Sequence, residues 1–261
     1  MAPRSGAEAE AQAPRGLKPA LRATSHGLSW RVPATSAKRK RSLPRRVLGW
    51  FLLLVAAFYG FVALGFAALR WIDPPFTMVH VQRRIESWFH RGVYRKRYEF
   101  VPLASISPAF QHAVIAAEDT RFFHHHGFDW HEVQDAVEDG LEDGRIRGAS
   151  TIDEQLAKNL FLTTHRSLFR KGVEVTLVPL EELILPKRRI LELYLNVVEW
   201  GPGVYGVEAA ARYHYGVPAA RIGREQGARL AAILPAPRRR QPARMNRYAA
   251  RILDRMAQMG W

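Results

Sequence analysis

Two neighbouring acids, Glu118 and Asp119, lie in the segment 113–127, which reads Ala-Val-Ile-Ala-Ala-Glu-Asp-Thr-Arg-Phe-Phe-His-His-His-Gly. Ser107-Pro108 predicts a helix start, because serine is a favoured N-cap and proline suits the first helical position. We expect this helix to end near Glu118, where the negative end of the helix dipole disfavours a carboxylate. A carboxyl group with a raised pKa suits a general base. The alternative, two solvated helix-end acids, stays open.

The residues after Glu118 act on the same carboxyl group. Phe122 and Phe123 are expected to make the surroundings drier and to raise the pKa of Glu118, whereas Arg121 opposes them. The run 124–126 is three histidines. Adjacent side chains cannot all face one ion, so a metal site is not expected there.

A second polar group follows at 148–162. Thr151 with Glu154 three residues later is a capping box, and Asp153 suits the positive end of the helix dipole. Helix capping therefore explains both acids without any chemistry. It does not explain the polar face of this helix, which carries Gln155, Lys158 and Asn159.

A third group, Arg166, Arg170, Lys171 and Glu174, opens the next helical segment, 167–187. With Lys158, these cations are suited to bind an anionic leaving group such as a pyrophosphate. Glu174 lies one turn beyond Arg170, so an ordinary ion pair at the helix surface is the alternative. We expect Pro179 to kink or restart the helix. Its predicted core residues are Phe169, Val173, Leu177, Leu180 and Ile184.

Five segments, in order and at similar spacing, resemble the five motifs of the peptidoglycan glycosyltransferases, glycosyltransferase family 51. They are 118–127, 148–162, 166–174, 187–196 and 203–216. The resemblance covers about residues 74–261. It implies a mainly α, lysozyme-like, two-lobed glycosyltransferase domain with a large lobe and a smaller membrane-facing lobe.

The resemblance implies an inverting hexosyltransferase that polymerises lipid II into β-1,4 glycan strands and releases undecaprenyl pyrophosphate. Glu118 would be the catalytic base and Glu174 the second catalytic glutamate. Glu174 would orient the pyrophosphate, hold a divalent cation (Mg or Mn) or stabilise an oxocarbenium-like transition state; no tightly bound cofactor is expected. The implied substrate-binding residues are Asp119, Phe122, His125, Gly127, Ser150, Thr151, Gln155, Lys158, Asn159, Arg166, Arg170, Lys171 and Asn196.

Two features depart from the family pattern. Asp153-Glu154 replaces the usual Thr-Gln, which adds negative charge near the expected donor site, and Pro179 falls within a helix that the family usually continues. Two other functions therefore stay open. One is a membrane-anchored glycan hydrolase, which the cation cluster disfavours, and the other is a catalytically impaired cell-wall scaffold.

The segment Val47–Leu69 contains 23 residues without a charge. As a helix it would be about 34 Å long, enough to cross a hydrocarbon core of about 30 Å. Residues 1–46 hold 11 Lys/Arg and 2 Glu. We therefore predict a disordered, basic cytoplasmic tail (1–46), a transmembrane helix (47–72) and a domain on the other side of the membrane (73–261). The resemblance implies that this domain is the glycosyltransferase and that the membrane is the bacterial inner membrane, with the domain in the periplasm.

Other patterns concern partners and the remaining elements. The chain has no cysteine, which excludes disulfides, thiolate metal sites and cysteine nucleophiles. The expected partners are lipid II, the growing glycan chain, the bilayer, transpeptidases and other cell-wall proteins, but no nucleic acid. Cross-linking would fall to a partner, because no Ser-x-x-Lys followed by Lys-Thr-Gly is present. Residues 140–148 are predicted to be a mobile loop.

The segment 78–89 has apolar residues at helical spacing. A helix here would either lie on the membrane surface just outside the anchor or pack onto the domain, and the sequence leaves both open. Its apolar residues are Met78, Val81, Ile85, Trp88 and Phe89.

Overall fold

The computed structural model describes residues 43–89, 94–143, 150–165 and 167–261. The predicted tail (apart from residues 43–46), Arg166 and most of the predicted loop 140–148 lie outside these ranges. Helices dominate the described residues, so the mainly α prediction is confirmed. The elements are α1 (Leu43–Leu69), α2 (Met78–Trp88), β1 (Arg97–Tyr98), α3 (Pro108–Glu118), α4 (Trp130–Asp143), α5 (Ile152–Phe161), α6 (Leu168–Ile184), α7 (Lys187–Val197), β2 (Glu199–Gly201), β3 (Val204–Tyr205), α8 (Val207–Tyr215), α9 (Arg224–Ala231) and α10 (Asn246–Gln258).

Two groups of packed helices build the core. In one, α3 packs against α9 and α10; in the other, α5 packs against α6, α7 and α2. The largest fully buried side chains include Trp200, Tyr194, Tyr205 and Phe110. Burying an aromatic side chain of this kind contributes roughly 1.5–3 kcal/mol, so these residues dominate the packing energy. The two groups meet where the end of α3 faces α5.

The helix α1 is long and apolar enough to cross a membrane. It begins four residues before the predicted start, at Leu43. Its C-terminal half contacts the domain, because Val62 and Phe66 are fully buried and the Phe66 ring lies 4.9 Å from that of Phe161. Arg189 donates to the carbonyls of Leu69 (2.8 Å) and Ile72 (3.1 Å), which ties the end of α1 to α7.

Three predictions about helices need correction. Helix α6 is one element that runs through Pro179, so the proline does not restart it. Phe169 is 83% exposed rather than part of the core, because it lies in the first turn of α6, which is at the surface: the neighbouring Leu168 is 94% exposed. Helix α4 continues to Asp143, so residues 140–143 are helical and not a loop.

A small sheet in the order β1-β3-β2 was not predicted, because two- and three-residue strands carry no readable alternation. Pro202 and Gly203 form the turn that connects β2 and β3. At Gly203 the backbone has φ +74°, and an added Cβ would lie 2.5 Å from the carbonyl oxygen of Arg95. This turn therefore requires glycine.

Candidate active site

Glu118 is the last residue of α3, as predicted. The hydroxyl of Ser107 accepts a hydrogen bond from the Phe110 amide (3.1 Å) and donates one to the Ile222 carbonyl (2.6 Å), so both the cap and the position of the helix are secured. Burial raises the pKa of Glu118, and neighbouring Asp119 adds to the rise. Gln155, Lys158 and Arg240 oppose it. The predicted direction is confirmed, with burial as the largest cause.

A hydrogen-bonded chain orients the Glu118 carboxyl group. The Nε2 of Gln155 donates to its Oε2 at 2.8 Å, and the Oε1 of Gln155 accepts from the Tyr194 hydroxyl at 3.1 Å. Burial raises the pKa of Tyr194 well above its usual value, so the hydroxyl keeps its proton and remains a donor. Gln155 is thereby held with its amide nitrogen toward Glu118.

Asp119 and His125 join the first motif to α5. The Nε2 of His125 lies 2.9 Å from Oδ1 of Asp119, and the Ile152 amide donates to Oδ2 at 3.0 Å. Because Asp119 is buried, these contacts hold the N-terminus of α5 beside the end of α3. Both side chains are buried, and Asp119 also borders the cavity described below.

Gly127 and Thr151 form the next link. The Thr151 hydroxyl donates to the Gly127 carbonyl (2.7 Å) and accepts from the Glu154 amide, which confirms the predicted capping box. Gly127 has φ +80°, and an added Cβ would lie 2.3 Å from Cγ1 of Val178. Only glycine fits there without moving α6.

The predicted cation cluster is present for every member that the structure describes. The guanidinium of Arg170 contacts Glu174, and Nζ of Lys171 lies 2.6 Å from the other Glu174 oxygen. Lys171 also donates to the Ser150 hydroxyl (3.1 Å). Lys158 is influenced electrostatically by both Glu174 and Glu118, although burial lowers its pKa. The Lys158 ammonium thus interacts with the charges of both glutamates.

An open cavity of about 340 Å³ lies at this site. Glu118 and Ser150 line it. Lys158, Arg170 and Lys171 do not, but Lys171 contacts the lining through its hydrogen bond to Ser150. Two residues of α10 and the residue that follows it also line the cavity, and the sequence singled out none of them: Arg255, Gln258 and Met259. Only the packing of α10 on α3 brings them there, and no local pattern signals it.

Three other predicted substrate-binding residues are buried in the protein: Asn196, Asn159 and Phe122. Asn196 is fully buried, and its amide pairs with the backbone of Val101 (2.9 Å in both directions) and with the Glu192 carbonyl. Asn159 donates to the Gln155 carbonyl at 2.7 Å. Phe122 is fully buried, with Nζ of Lys187 4.4 Å from its ring centroid. In this structure these side chains support the site rather than line the cavity.

A divalent cation at Glu174 does not fit this arrangement, because Arg170 and Lys171 already occupy both carboxylate oxygens. Asp119, His125 and Asp129 also bring ligand atoms within 4.8 Å of one another. However, Asp129 accepts from the amides of His131 and Glu132 at the start of α4, and Asp119 is satisfied as described. Protein partners account for both groups of acids.

The two acids that depart from the family pattern are buried and paired. Asp153 is fully buried, with Nζ of Lys187 3.0 Å from its Oδ1. Glu154 binds the Thr151 amide (3.2 Å) and lies 3.1 Å from Nζ of Lys171. Neither acid lines the cavity described above, and both have partners within the protein.

Asp153 should make the fold sensitive to alkaline pH. Burial raises its pKa to about 8; Lys187 opposes the rise, and Glu182 adds to it. Because the unfolded pKa is near 3.9, the folded state holds a proton that the unfolded chain releases, so stability falls as pH rises toward about 8. Between about pH 6 and pH 9, the free energy of unfolding of the parent should therefore fall by about 3 kcal/mol more than that of Asp153→Asn.

Thermal or denaturant unfolding in detergent at several pH values checks this expectation. Asp254→Asn is the matched control, because Asp254 is an exposed acid. Equal pH dependence of the parent and Asp153→Asn would show that Asp153 is ionised in the fold throughout this range.

Comparison with known proteins gives a consistent result. A transglycosylase family model matches residues 84–259. A biosynthetic peptidoglycan transglycosylase of Ectopseudomonas mendocina (strain ymp) is 45% identical over 224 residues, covering 84% of this chain and 91% of the relative. The protein of the same name from Pseudomonas aeruginosa is 44% identical over 224 residues, covering 84% and 95%. One from Pseudomonas entomophila (strain L48) is 45% identical over 196 residues, covering 74% and 83%.

Proposed function

Because the chain belongs to the transglycosylase family, we propose that it is a peptidoglycan glycosyltransferase of cell-wall synthesis. Its substrate is lipid II, which it polymerises into β-1,4 glycan strands with release of undecaprenyl pyrophosphate. The observation that carries this assignment is that one cavity has a proton acceptor in its lining and a cation at its edge. Glu118, with its raised pKa, lines it, and Lys171 reaches its edge through Ser150.

Glu118 acts on the acceptor sugar. Its carboxylate takes the proton of the acceptor 4-hydroxyl as that oxygen attacks the anomeric carbon of the donor. The new glycosidic C–O bond forms while the bond from the anomeric carbon to the pyrophosphate oxygen breaks. A single displacement of this kind inverts the anomeric configuration. Gln155 keeps the carboxyl group in place through its hydrogen bond to Oε2.

The cations act on the donor. The departing pyrophosphate gains negative charge, and ammonium and guanidinium groups at fixed positions stabilise that charge. Glu174 serves this step by holding Arg170 and Lys171 next to each other, and its charge also interacts with that of Lys158. We assign Glu174 this positioning role and not that of a metal ligand. Arg166, which lies outside the described residues, is proposed to join the same cluster.

Two alternatives are weaker. A glycan hydrolase would use one glutamate on a similar fold, but its polysaccharide substrate has no pyrophosphate for Lys158 and Lys171 to bind. An impaired scaffold was suggested by Asp153 and Glu154. Both acids are paired with lysines, which removes the reason to expect poor donor binding.

Incubation of the purified full-length protein with labelled lipid II tests the proposal. We expect a ladder of glycan polymer that a muramidase digests. Cleavage of added preformed glycan, without polymer from lipid II, would support the hydrolase. Inertness toward both substrates in a folded sample would support the scaffold.

The chain is further proposed to be a single-pass protein of the bacterial inner membrane with its catalytic domain in the periplasm. The anchor is α1, which is consistent with a membrane span. Eleven Lys/Arg against 2 Glu in residues 1–46 favour a cytoplasmic N-terminus. Transpeptidases and other cell-wall proteins are the proposed protein partners.

A reporter fused after Trp261 checks this topology. Alkaline phosphatase, which is active only outside the cytoplasm, should be active in this fusion, whereas a fluorescent protein that matures only in the cytoplasm should stay dark. The opposite pair of results would reverse the proposed orientation.

A further inference from the structure

The side of α2 that faces the protein is mainly polar, with His80 and Gln82 buried there beside one apolar residue, Val79. Gln82 pairs with Thr164 through two hydrogen bonds of 2.8 Å, and Nη2 of Arg83 lies 3.0 Å from Glu199. His80 is 3% exposed and caps the helix with Thr77. These contacts fix the rotation of the helix about its own axis.

The outward side of α2 is apolar. Val81, Ile85 and Trp88 are spaced as neighbours on one helix face and are 37%, 44% and 69% exposed. Phe76, just before the helix, is 63% exposed. A helix at a water-exposed surface normally has the reverse arrangement, with its apolar side toward the core. This face therefore indicates a non-aqueous neighbour.

A groove of about 470 Å³ runs along this face, and cations lie at its rim. Arg84 and Lys96 line it together with the apolar residues, and both are exposed. The Arg84 guanidinium lies 6.0 Å from the Tyr94 ring centroid, and Nζ of Lys96 lies 4.6 Å from that of Tyr98. An apolar groove with cations at its edge complements an anionic amphiphile.

The position of α2 next to the anchor identifies the source of that amphiphile. Arg189 ties Leu69 and Ile72 to α7, and Nζ of Lys96 donates to the Pro75 carbonyl (3.2 Å). Five residues separate Ile72 from Met78, the first residue of α2, so the two can be at most about 20 Å apart. Trp71 and Ile72, both exposed, continue the apolar surface from α1 toward α2. The groove is thus held close to the end of the membrane span.

We propose that the outer face of α2 is a binding site for anionic phospholipid in the leaflet that the domain faces. Phe76, Val81, Ile85 and Trp88 contact acyl chains, and Arg84 and Lys96 bind the headgroup phosphate. The helix lies in the interface, parallel to the membrane plane. It combines the two placements that the sequence left open, on the membrane surface and packed onto the domain. Its polar side packs onto the domain while its apolar side enters the lipid. This site is separate from the Glu118 cavity, and its function does not depend on the proposed reaction.

The absence of cysteine in the chain allows a direct test. Ile85→Cys in the full-length protein is labelled with an environment-sensitive fluorophore and placed in nanodiscs of phosphatidylcholine with or without phosphatidylglycerol. Ala250→Cys, at an exposed position of α10, is the matched control. We expect the label at position 85, and not at position 250, to emit at shorter wavelength and to be quenched by brominated acyl chains. A label at position 85 that stays in water would overturn the proposal.

The headgroup contact is tested in the same nanodiscs. Arg84→Gln with Lys96→Gln should raise the phosphatidylglycerol fraction needed for half-maximal quenching at least about threefold, since each cation near an anionic surface contributes to binding. Arg247→Gln with Arg251→Gln on α10 should leave it unchanged. Quenching that does not depend on phosphatidylglycerol would refute the headgroup contact. Loss of quenching on adding undecaprenyl pyrophosphate, but not phosphatidylglycerol, would assign the groove to the substrate instead.

Discussion

Replacing Glu118 by glutamine is expected to reduce lipid II polymerisation by at least about a hundredfold, which is the usual scale for losing a general base. Glutamine has the same shape, and its amide oxygen still accepts the hydrogen bond from Gln155, so the fold and the cavity should be retained. The change removes only the ability to take a proton from the acceptor hydroxyl. Initial rates of polymer formation measure the effect.

Glu132→Gln is the matched control, because Glu132 lines the same cavity. Among the residues that the structure describes, no hydrogen bond joins it to Gln155 or to the cation cluster. Its rate should remain within about threefold of the parent. The parent should also lose activity toward acidic pH, with a midpoint above the usual glutamate value of about 4.3, because burial raises the pKa of Glu118. Near-parent turnover by Glu118→Gln would remove Glu118 from the mechanism.

Removing Lys158 is expected to weaken the binding of a pyrophosphate-bearing donor analogue by about ten- to a hundredfold. Charge-assisted contacts to phosphate contribute roughly 1.5–3 kcal/mol each, and a tenfold change corresponds to about 1.4 kcal/mol. Lys158→Ala removes a cation whose charge interacts with both Glu174 and Glu118. Analogue affinity, measured at low and high salt, gives the result.

Two further variants are the controls for this measurement. Arg188→Ala removes an exposed cation of α7 and should bind the analogue like the parent. Glu118→Gln should also keep near-parent affinity, because it removes a proton acceptor and no cation. Unchanged affinity in Lys158→Ala would show that this lysine does not bind the donor, and the hydrolase alternative would gain support.

Local signals in the sequence were sufficient for much of the site. Ser107-Pro108 predicted the start of α3, and the capping box of Thr151 and Glu154 predicted the start of α5. These caps act within one helical turn, so their physics is contained in a few residues. The end of α3 at Glu118, and with it the direction of the pKa shift, followed from the same short segment.

What the sequence did not reveal depends on contacts between distant residues. Lys187 lies 34 positions from Asp153, and only the packing of α5 against α7 brings them together. The α10 residues that line the cavity are likewise distant from Glu118 in sequence. Phe169 fits the helical period of α6 but lies in its exposed first turn, which periodicity cannot detect. For α2, the apolar stripe was visible, but not that its polar side would face the protein.

The central claim is that glycosyl transfer and release of the lipid pyrophosphate are one reaction. The most direct measurement follows both products from the same doubly labelled lipid II, as initial rates of glycosidic bond formation and of undecaprenyl pyrophosphate release. We predict equal molar rates in the parent and a parallel loss of both in Glu118→Gln. Pyrophosphate release without new glycosidic bonds, or new reducing ends from preformed glycan, would contradict the account.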